Sequence, residues 1–270
     1  MPTFRKVSTT FGAYVSDIDL REPLTEKEVS TISDALVEYK VLLFRNQNLT
    51  PEQHLEFSNN FGPVLDVHPW SQRREGHSKV MLLKGYAATG WHSDETWRAK
   101  APLASMLYCR ETPEYGGDTC FADMARSYDD LDDDLKEKIE GLVAVHDHIR
   151  HRWNMRRLGV SEERIEQWKI EYPEVEHPVV RTHPVSGLKC LFVNGTFTAR
   201  IKGMAEDEST RLLQRLYRAV EDPHRQIRFK WEEHSIAFWD NRSVQHYGVS
   251  DFEGHDRHME RTTIADPLAA

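Results

Sequence analysis

Three side chains that bind metals stand out by their type and spacing. The segment Trp91-His92-Ser93-Asp94-Glu95-Thr96-Trp97 sets an imidazole and a carboxylate two residues apart, and in a strand residues i and i+2 share a face. Such a pair converges on one point as two ligands. A third ligand is available in Trp239-Asp240-Asn241-Arg242-Ser243-Val244-Gln245-His246-Tyr247, where a strand runs into a polar turn and then presents one histidine. Two imidazoles and one carboxylate on one face of an octahedron leave three positions open, the arrangement of non-haem Fe(II) oxygenases. Hydrolytic zinc sites leave one. A lone His-x-Asp is common, and His246 taken by itself also fits a satisfied core histidine, so the surroundings decide the meaning of the cluster.

Those surroundings include two arginines. In Arg257-His258-Met259-Glu260-Arg261-Thr262-Thr263-Ile264, a strand would put Arg257, Met259 and Arg261 on one face, with the guanidiniums rooted roughly 13 Å apart at about 3.3 Å per residue. Inward arginines require anions, and the planar fork pairs bidentately with carboxylate or sulfonate. The alternative is a solvated edge strand with snorkelling arginines.

The elements that must carry these residues are mostly short strands. Val41–Phe44, Val80–Leu83, Pro102–Cys109, Leu142–His146, Val179–Thr182, Cys190–Val193, Ile227–Trp231, Ser235–Trp239 and Arg257–Ile264 are bounded by Gly, Pro, Asp or Asn turns. Ile227, Phe229 and Trp231 alternate with Arg228 and Lys230, one face toward a core and one toward water. Helices are predicted after the capping-box pair Thr25 and Glu28, after Thr50-Pro51 with Gln53, and around Leu135–Leu142, Ser161–Trp168 and Ser209–Val220. Many short strands without regular β-α alternation predict a mainly β fold with surrounding helices, an antiparallel sandwich or jelly roll. No repeat or linker divides the sequence, so 1–270 reads as one domain.

Composition narrows the function. The chain has 270 residues, 39% hydrophobic and 29% charged, enough apolar content for a real core. Thirty-five basic against forty-four acidic residues give a net charge of −9, the wrong sign for a nucleic-acid binder. The longest apolar runs are four residues, such as Val80–Leu83, against the roughly 20 that a membrane span needs. The N-terminus lacks the apolar stretch of a secretory signal, which predicts a cytoplasmic protein. Cys109, Cys120 and Cys190 form neither a disulfide framework nor a thiolate zinc site. The acidic run Asp129–Asp134 lacks the glycine of a calcium loop and reads as carboxylates at a helix N-terminus.

Taken together, the chain resembles the iron(II)/2-oxoglutarate-dependent dioxygenases of the taurine dioxygenase (TauD/TfdA) family. The likeness is carried by His92-x-Asp94, by His246 with Arg257 eleven residues later, and by Gly116-Gly117-Asp118-Thr119. It extends to His177-Pro178-Val179-Val180-Arg181-Thr182-His183-Pro184, Leu191-Phe192-Val193-Asn194 and Trp239-Asp240-Asn241-Arg242, in the family's order over nearly the whole chain. The resemblance implies a double-stranded β-helix, a form of jelly roll, with Fe(II) held by His92, Asp94 and His246. It further implies that Thr119 and Arg257 bind the distal carboxylate of 2-oxoglutarate and that Arg261 meets an anionic group of the prime substrate. His68 matches the family's substrate-binding histidine, with a plain loop histidine as the alternative; Phe197 matches an apolar wall beside the substrate carbon, with core packing as the alternative. The His-Pro pairs at 177 and 183 read as turn chemistry, and Gly116-Gly117 as a turn that aims Thr119. The implied reaction uses O2 and 2-oxoglutarate, releases succinate and carbon dioxide, and hydroxylates the substrate, in a dimer or tetramer.

Two departures bear on the substrate. Glu95 stands where taurine dioxygenases usually carry an aliphatic residue, and Tyr86-Ala87-Ala88-Thr89-Gly90 replaces a stretch that usually holds an asparagine. Both point away from taurine and toward another sulfonate, an alkyl sulfate or a carboxylate. Glu95 could pair with a substrate ammonium or with a neighbouring arginine. A different class of function, a non-catalytic metal-binding sensor or anion carrier, would have no need of a dicarboxylate anchor such as Thr119 with Arg257.

Overall fold

In a computed structural model, which describes residues 1–148, 155–156 and 159–268, two capping boxes start the first helices. Thr25 and Glu28 exchange hydrogen bonds to open α1 (Glu26–Tyr39), and Thr50 and Gln53 do the same for α2 (Pro51–Asn59). Later helices are α3 (Met124–Asp129), α4 (Asp133–Ile139), α5 (Glu162–Glu171) and α6 (Glu206–Tyr217). The acidic run does sit around the start of α4, with Asp132 at the N-cap and Asp133 and Asp134 in the first turn.

The strands in chain order are β1 (Thr3–Lys6), β2 (Ala13–Ser16), β3 (Val41–Phe44), β4 (Arg73–Arg74), β5 (His77–Lys84), β6 (Ala104–Glu111), β7 (Thr119–Asp123) and β8 (Val143–His146). They continue as β9 (Val175–Pro178), β10 (Val180–Thr182), β11 (Lys189–Leu191), β12 (Thr198–Ile201), β13 (Gln226–Phe229), β14 (Ile236–Asp240), β15 (Val244–Gly248) and β16 (His258–Ile264). The protein is mainly β with helices packed outside. An eight-stranded sheet runs β1-β2-β3-β14-β6-β16-β5-β4, and a three-stranded sheet runs β13-β7-β15.

Side-chain alternation explains how these two sheets make a site. On β14, Ile236 and Phe238 face a cluster with α1 and α2, where Ile32, Leu36 and Phe57 are buried, while Ala237 and Trp239 face the small sheet. Phe121 of β7, Phe229 of β13 and Met259 of β16 close that inter-sheet core, each such buried side chain contributing roughly 1.5–3 kcal/mol. The same parity turns Arg261 of β16 and His246 of β15 into the space between the sheets, since Arg261 is two residues from Met259 and His246 two from Val244. Lys40, at the C-terminal end of α1, ties this arrangement together through a buried ion pair to Asp123 at 2.5 Å.

Candidate active site

The two histidines find each other through backbone. His92 forms an isolated antiparallel bridge with His246, each N–H donating to the other's carbonyl at 3.1 and 2.8 Å, and their ring centroids lie 4.2 Å apart. His92 therefore belongs to no regular strand, and Asp94 lies in the turn that follows. The predicted strand pair is corrected accordingly: a bridge and a turn, rather than i,i+2 alternation, make the convergence. Arg257 likewise falls just before β16 instead of inside it.

The donor atoms converge tightly. The Nε2 atoms of His92 and His246 lie 3.6 and 3.9 Å from the same oxygen, Asp94 Oδ1, and one ligand atom from each residue falls within 4.8 Å of the others. His92 Nδ1 is 2.7 Å from the Gly90 carbonyl; with the proton there, the Nε2 lone pair faces the cluster. Burial pushes His246 down to about 3, so its imidazole is neutral at ordinary pH. Burial alone would raise the Asp94 carboxyl, but the Arg261 guanidinium and the two imidazoles hold it well below the usual carboxylate range. Two imidazoles and one ionised carboxylate are the donor set that a ferrous ion takes while keeping open positions. The residues fit the metal.

Asp94 is held from behind. Ser105 Oγ donates to its Oδ2 at 2.6 Å, and Asn241 Oδ1 accepts its backbone N–H at 3.2 Å. Asn241 also accepts from Trp239 Nε1 at 2.9 Å and donates to Ser105 Oγ at 2.9 Å. The sequence reading missed both supports. The signal for Ser105 was a lone serine in an otherwise apolar and aromatic strand, Ala104-Ser105-Met106-Leu107-Tyr108; Asn241 lay inside the segment read for its histidine, as part of the polar turn before it.

Arg261 and Arg257 have opposite surroundings. Arg261 Nη1 donates to Asp94 Oδ1 and Nη2 to Glu95 Oε1 at 3.2 Å. Glu95 thus meets a neighbouring arginine, as one of its two readings had it, and a second one in Arg98, whose Nε lies 2.5 Å from Oε2. Arg257 is 3% exposed and, among the described residues, pairs with no carboxylate. Among the described residues it donates to the carbonyls of Gly117 at 3.1 Å and Tyr86 at 3.3 Å, and burial pushes it down to about 10. Gly117 has φ +69, and a Cβ there would lie 3.1 Å from Arg257 Cδ, so this turn needs glycine. Two residues on, buried Thr119 accepts from Trp231 Nε1 at 3.0 Å.

Of the remaining predicted residues, Phe197 touches this centre, while the ring contacts of His68 are with tryptophans outside it. Phe197 is buried edge-on to the His92 ring at 5.9 Å. His68 stacks on Trp70 at 4.5 Å and meets the edge of Trp97 at 5.8 Å. One reading is corrected: His177 is no turn residue but a buried strand residue of β9, its Nε2 at 2.9 Å from the Thr96 carbonyl, which braces the segment after Asp94. His183 does hold a turn, accepting from Val185 and Ser186 N–H.

Comparison with known proteins decides the family. Residues 3–263 match the model of the family described as taurine catabolism dioxygenase TauD, TfdA family. The chain belongs to the TauD/TfdA family. An alkylsulfatase of Acinetobacter baylyi is 36% identical over 269 residues, covering 97% of this chain and 84% of the relative. An alpha-ketoglutarate-dependent sulfate ester dioxygenase of Pseudomonas putida is 33% identical, covering 96% and 88%. Among solved structures, a taurine dioxygenase from Burkholderia xenovorans superposes with a TM-score of 0.85 at 33% identity, covering 100% of this chain and 92% of that one. AAD-2 in complex with Mn(II) and N-oxalylglycine gives 0.84 at 31%, covering 100% and 99%.

This TauD/TfdA member is a 2-oxoglutarate-dependent non-haem iron dioxygenase, with Fe(II), 2-oxoglutarate and O2 as its cofactor and co-substrates. The sensor or carrier alternative is not favoured. Among the described residues no helix is long and apolar enough to cross a membrane.

Proposed function

We propose that His92, Asp94 and His246 are the iron ligands, that Thr119 and Arg257 receive the distal carboxylate of 2-oxoglutarate, and that Arg261, Phe197 and His68 line the place of the prime substrate. The observation that carries this reading is the aim of two imidazole Nε2 atoms at one Asp94 oxygen. The anchor assignment draws support from Arg257, a buried cation with only neutral acceptors, since burying a charge without a partner is costly unless a ligand supplies it.

Each residue has a task that its surroundings permit. Ser105 and Asn241 fix the Asp94 carboxylate, and the Gly90 carbonyl fixes the His92 tautomer, so that the donors are preorganised. Because Trp231 donates to Thr119 Oγ1, the hydroxyl proton of Thr119 is directed away, toward an incoming carboxylate. Ferrous iron with 2-oxoglutarate supplies the oxidising power once bound. The protein supplies placement: Phe197 beside His92 presents an apolar wall against which a substrate carbon rests. In the same reading, the eight-stranded and three-stranded sheets form a double-stranded β-helix, 1–270 is one domain, and the protein works in the cytoplasm as a homo-oligomer.

The substrate class is an organic anion, either a sulfonate, an alkyl sulfate or a carboxylate, in keeping with the names of the relatives. The test has two stages. Anaerobic protein with Fe(II) and 2-oxoglutarate is expected to develop the lilac colour of keto-acid chelation; then a panel of alkyl sulfates, sulfonates and aryloxy acids is added with air. Substrate-triggered succinate release is expected from at least one class. Absence of both colour and succinate would overturn the proposal.

A further inference from the structure

Glu95 is an unusual residue to find beside a substrate anchor. It is 3% exposed, with φ +50, a left-handed backbone that a non-glycine residue holds only when its surroundings compel it. Three groups do so. Its Oε2 takes Arg98 Nε at 2.5 Å, and its Oε1 takes Arg261 Nη2 at 3.2 Å and the Thr263 hydroxyl at 3.4 Å. A string of alternating charge results, Asp94, Arg261, Glu95, Arg98. Its outer end is a guanidinium with a side chain 24% exposed, lying over the Trp97 ring.

This string changes what Arg261 can offer. Nη1 donates to Asp94 and Nη2 to Glu95, which occupies the end-on fork, while the buried Nε has no hydrogen-bond partner among the described residues. An anion arriving at Arg261 can take the Nε–H, but it does so beside the negative charge of Glu95. We infer that Glu95 is a specificity-determining residue: it masks Arg261, lowers the affinity of the pocket for anions, and so selects substrates that carry their charge on an apolar body. A compact sulfonate has little surface to bury in compensation, whereas a longer alkyl chain gains about 0.8 kcal/mol per buried CH2. The inference rests on the proposed placement of the substrate at Arg261 and Phe197, and it extends that placement to a choice among anions.

The test uses two monovalent probes, ethanesulfonate and hexyl sulfate, titrated calorimetrically into protein loaded with Mn(II) and 2-oxoglutarate. Wild type is expected to bind hexyl sulfate at least about tenfold more tightly than ethanesulfonate. Glu95→Gln, which keeps the shape and removes the charge, is expected to tighten ethanesulfonate about tenfold, a modest part of the interaction between charges this close, with 2-oxoglutarate affinity unchanged. A change that merely loosened the loop would weaken binding, so tightening is diagnostic. Arg98→Gln, at the exposed end, leaves Glu95 without its outer partner and is expected to weaken both probes. Unchanged or weakened ethanesulfonate binding in Glu95→Gln, or unchanged or tightened binding in Arg98→Gln, overturns the inference. Succinate release by the wild type with hexyl sulfate is read in parallel. If it fails while the affinity shifts hold, the substrate reading falls and the masking stands. If it succeeds while the shifts are absent, only the masking falls.

Discussion

Arg257 and Arg261 are four residues apart on one segment of chain, both are buried, and they live under opposite electrostatic conditions. Arg261 is held between two carboxylates, whereas Arg257 rests on two neutral carbonyls. A guanidinium with its counter-charges in place stabilises the resting protein, and at Arg261 it leaves Nε as a buried donor without a partner among the described residues. One without them is destabilising and leaves its charge unanswered. In the proposed reading the lone cation is where a dicarboxylate would complete the structure, and the paired one is where a substrate anion would have to compete. On that reading the difference would separate a site for the co-substrate from one that discriminates among substrates.

Replacing each arginine by methionine tests the contrast most directly, because the two substitutions are expected to act in opposite directions. Arg257→Met removes an unpaired buried charge and should leave the metal-free protein about 1–3 kcal/mol more stable. The folded pKa near 10 lies below the ordinary arginine value, so the cost of burying this charge is undiminished at every pH below about 10 and fades only above it. The same change should raise the KM for 2-oxoglutarate about 100-fold, since hydrogen bonds to charged groups are worth ~1.5–3 kcal/mol. Arg261→Met leaves Asp94 and Glu95 buried without their shared cation and should cost about 3–5 kcal/mol, while the KM for 2-oxoglutarate changes less than about threefold. Thermal melts of the two variants, read beside 2-oxoglutarate titrations, would break the comparison if both moved the same way.

The contrast also marks the limit of what the sequence discloses. Local signals were legible: the two capping boxes at Thr25 and Thr50, the acidic N-terminus of α4, and the His92-x-Asp94 spacing all depend on residues within a few positions of one another. The strand expected at His92 was wrong because the geometry is made by a bridge to His246, far along the chain, and by a left-handed residue at Glu95. Nothing in a Glu codon announces a positive φ. Strands β1, β2, β4, β7, β9, β12 and β15 went unread, and β7 shows why. As the central strand of its sheet it is largely buried on both faces, so Thr119-Cys120-Phe121-Ala122-Asp123 carries no alternation. His177 was misread because a His-Pro pair signals a turn locally, while its packing against the segment after Asp94 is a long-range fact. The pairing of Arg261 with Asp94 joins residues 167 apart, and no periodicity encodes it.

A smaller effect tests how firmly the metal side of the site is preorganised. Ser105→Ala removes the hydroxyl that steadies Asp94 Oδ2 from the inward face of β6, and losing such an outer partner typically costs 10–100-fold in metal affinity. We expect about tenfold weaker Mn(II) binding by calorimetry, with 2-oxoglutarate affinity per metal-loaded molecule unaltered. An unchanged Mn(II) affinity would mean that Asn241 alone orients the carboxylate.

The smallest expected effect belongs to Thr119, and it sharpens the role of Arg257 by subtraction. The Thr119 hydroxyl accepts from Trp231 Nε1, so its own proton is available for the carboxylate that the proposed anchor would receive. Thr119→Val keeps the shape and deletes both functions. One neutral donor to a charged acceptor is worth less than a guanidinium, so the KM for 2-oxoglutarate should rise only about five- to tenfold, and the unpaired indole N–H should cost about 1–2 kcal/mol of stability. Thr119→Ser restores donor and acceptor together and should recover both values. Recovery of stability without recovery of KM would assign Thr119 to the support of Trp231 alone, leaving Arg257 as the single anchor. A KM loss in Thr119→Val as large as that in Arg257→Met would instead show that hydroxyl and guanidinium act as one unit, each ineffective without the other.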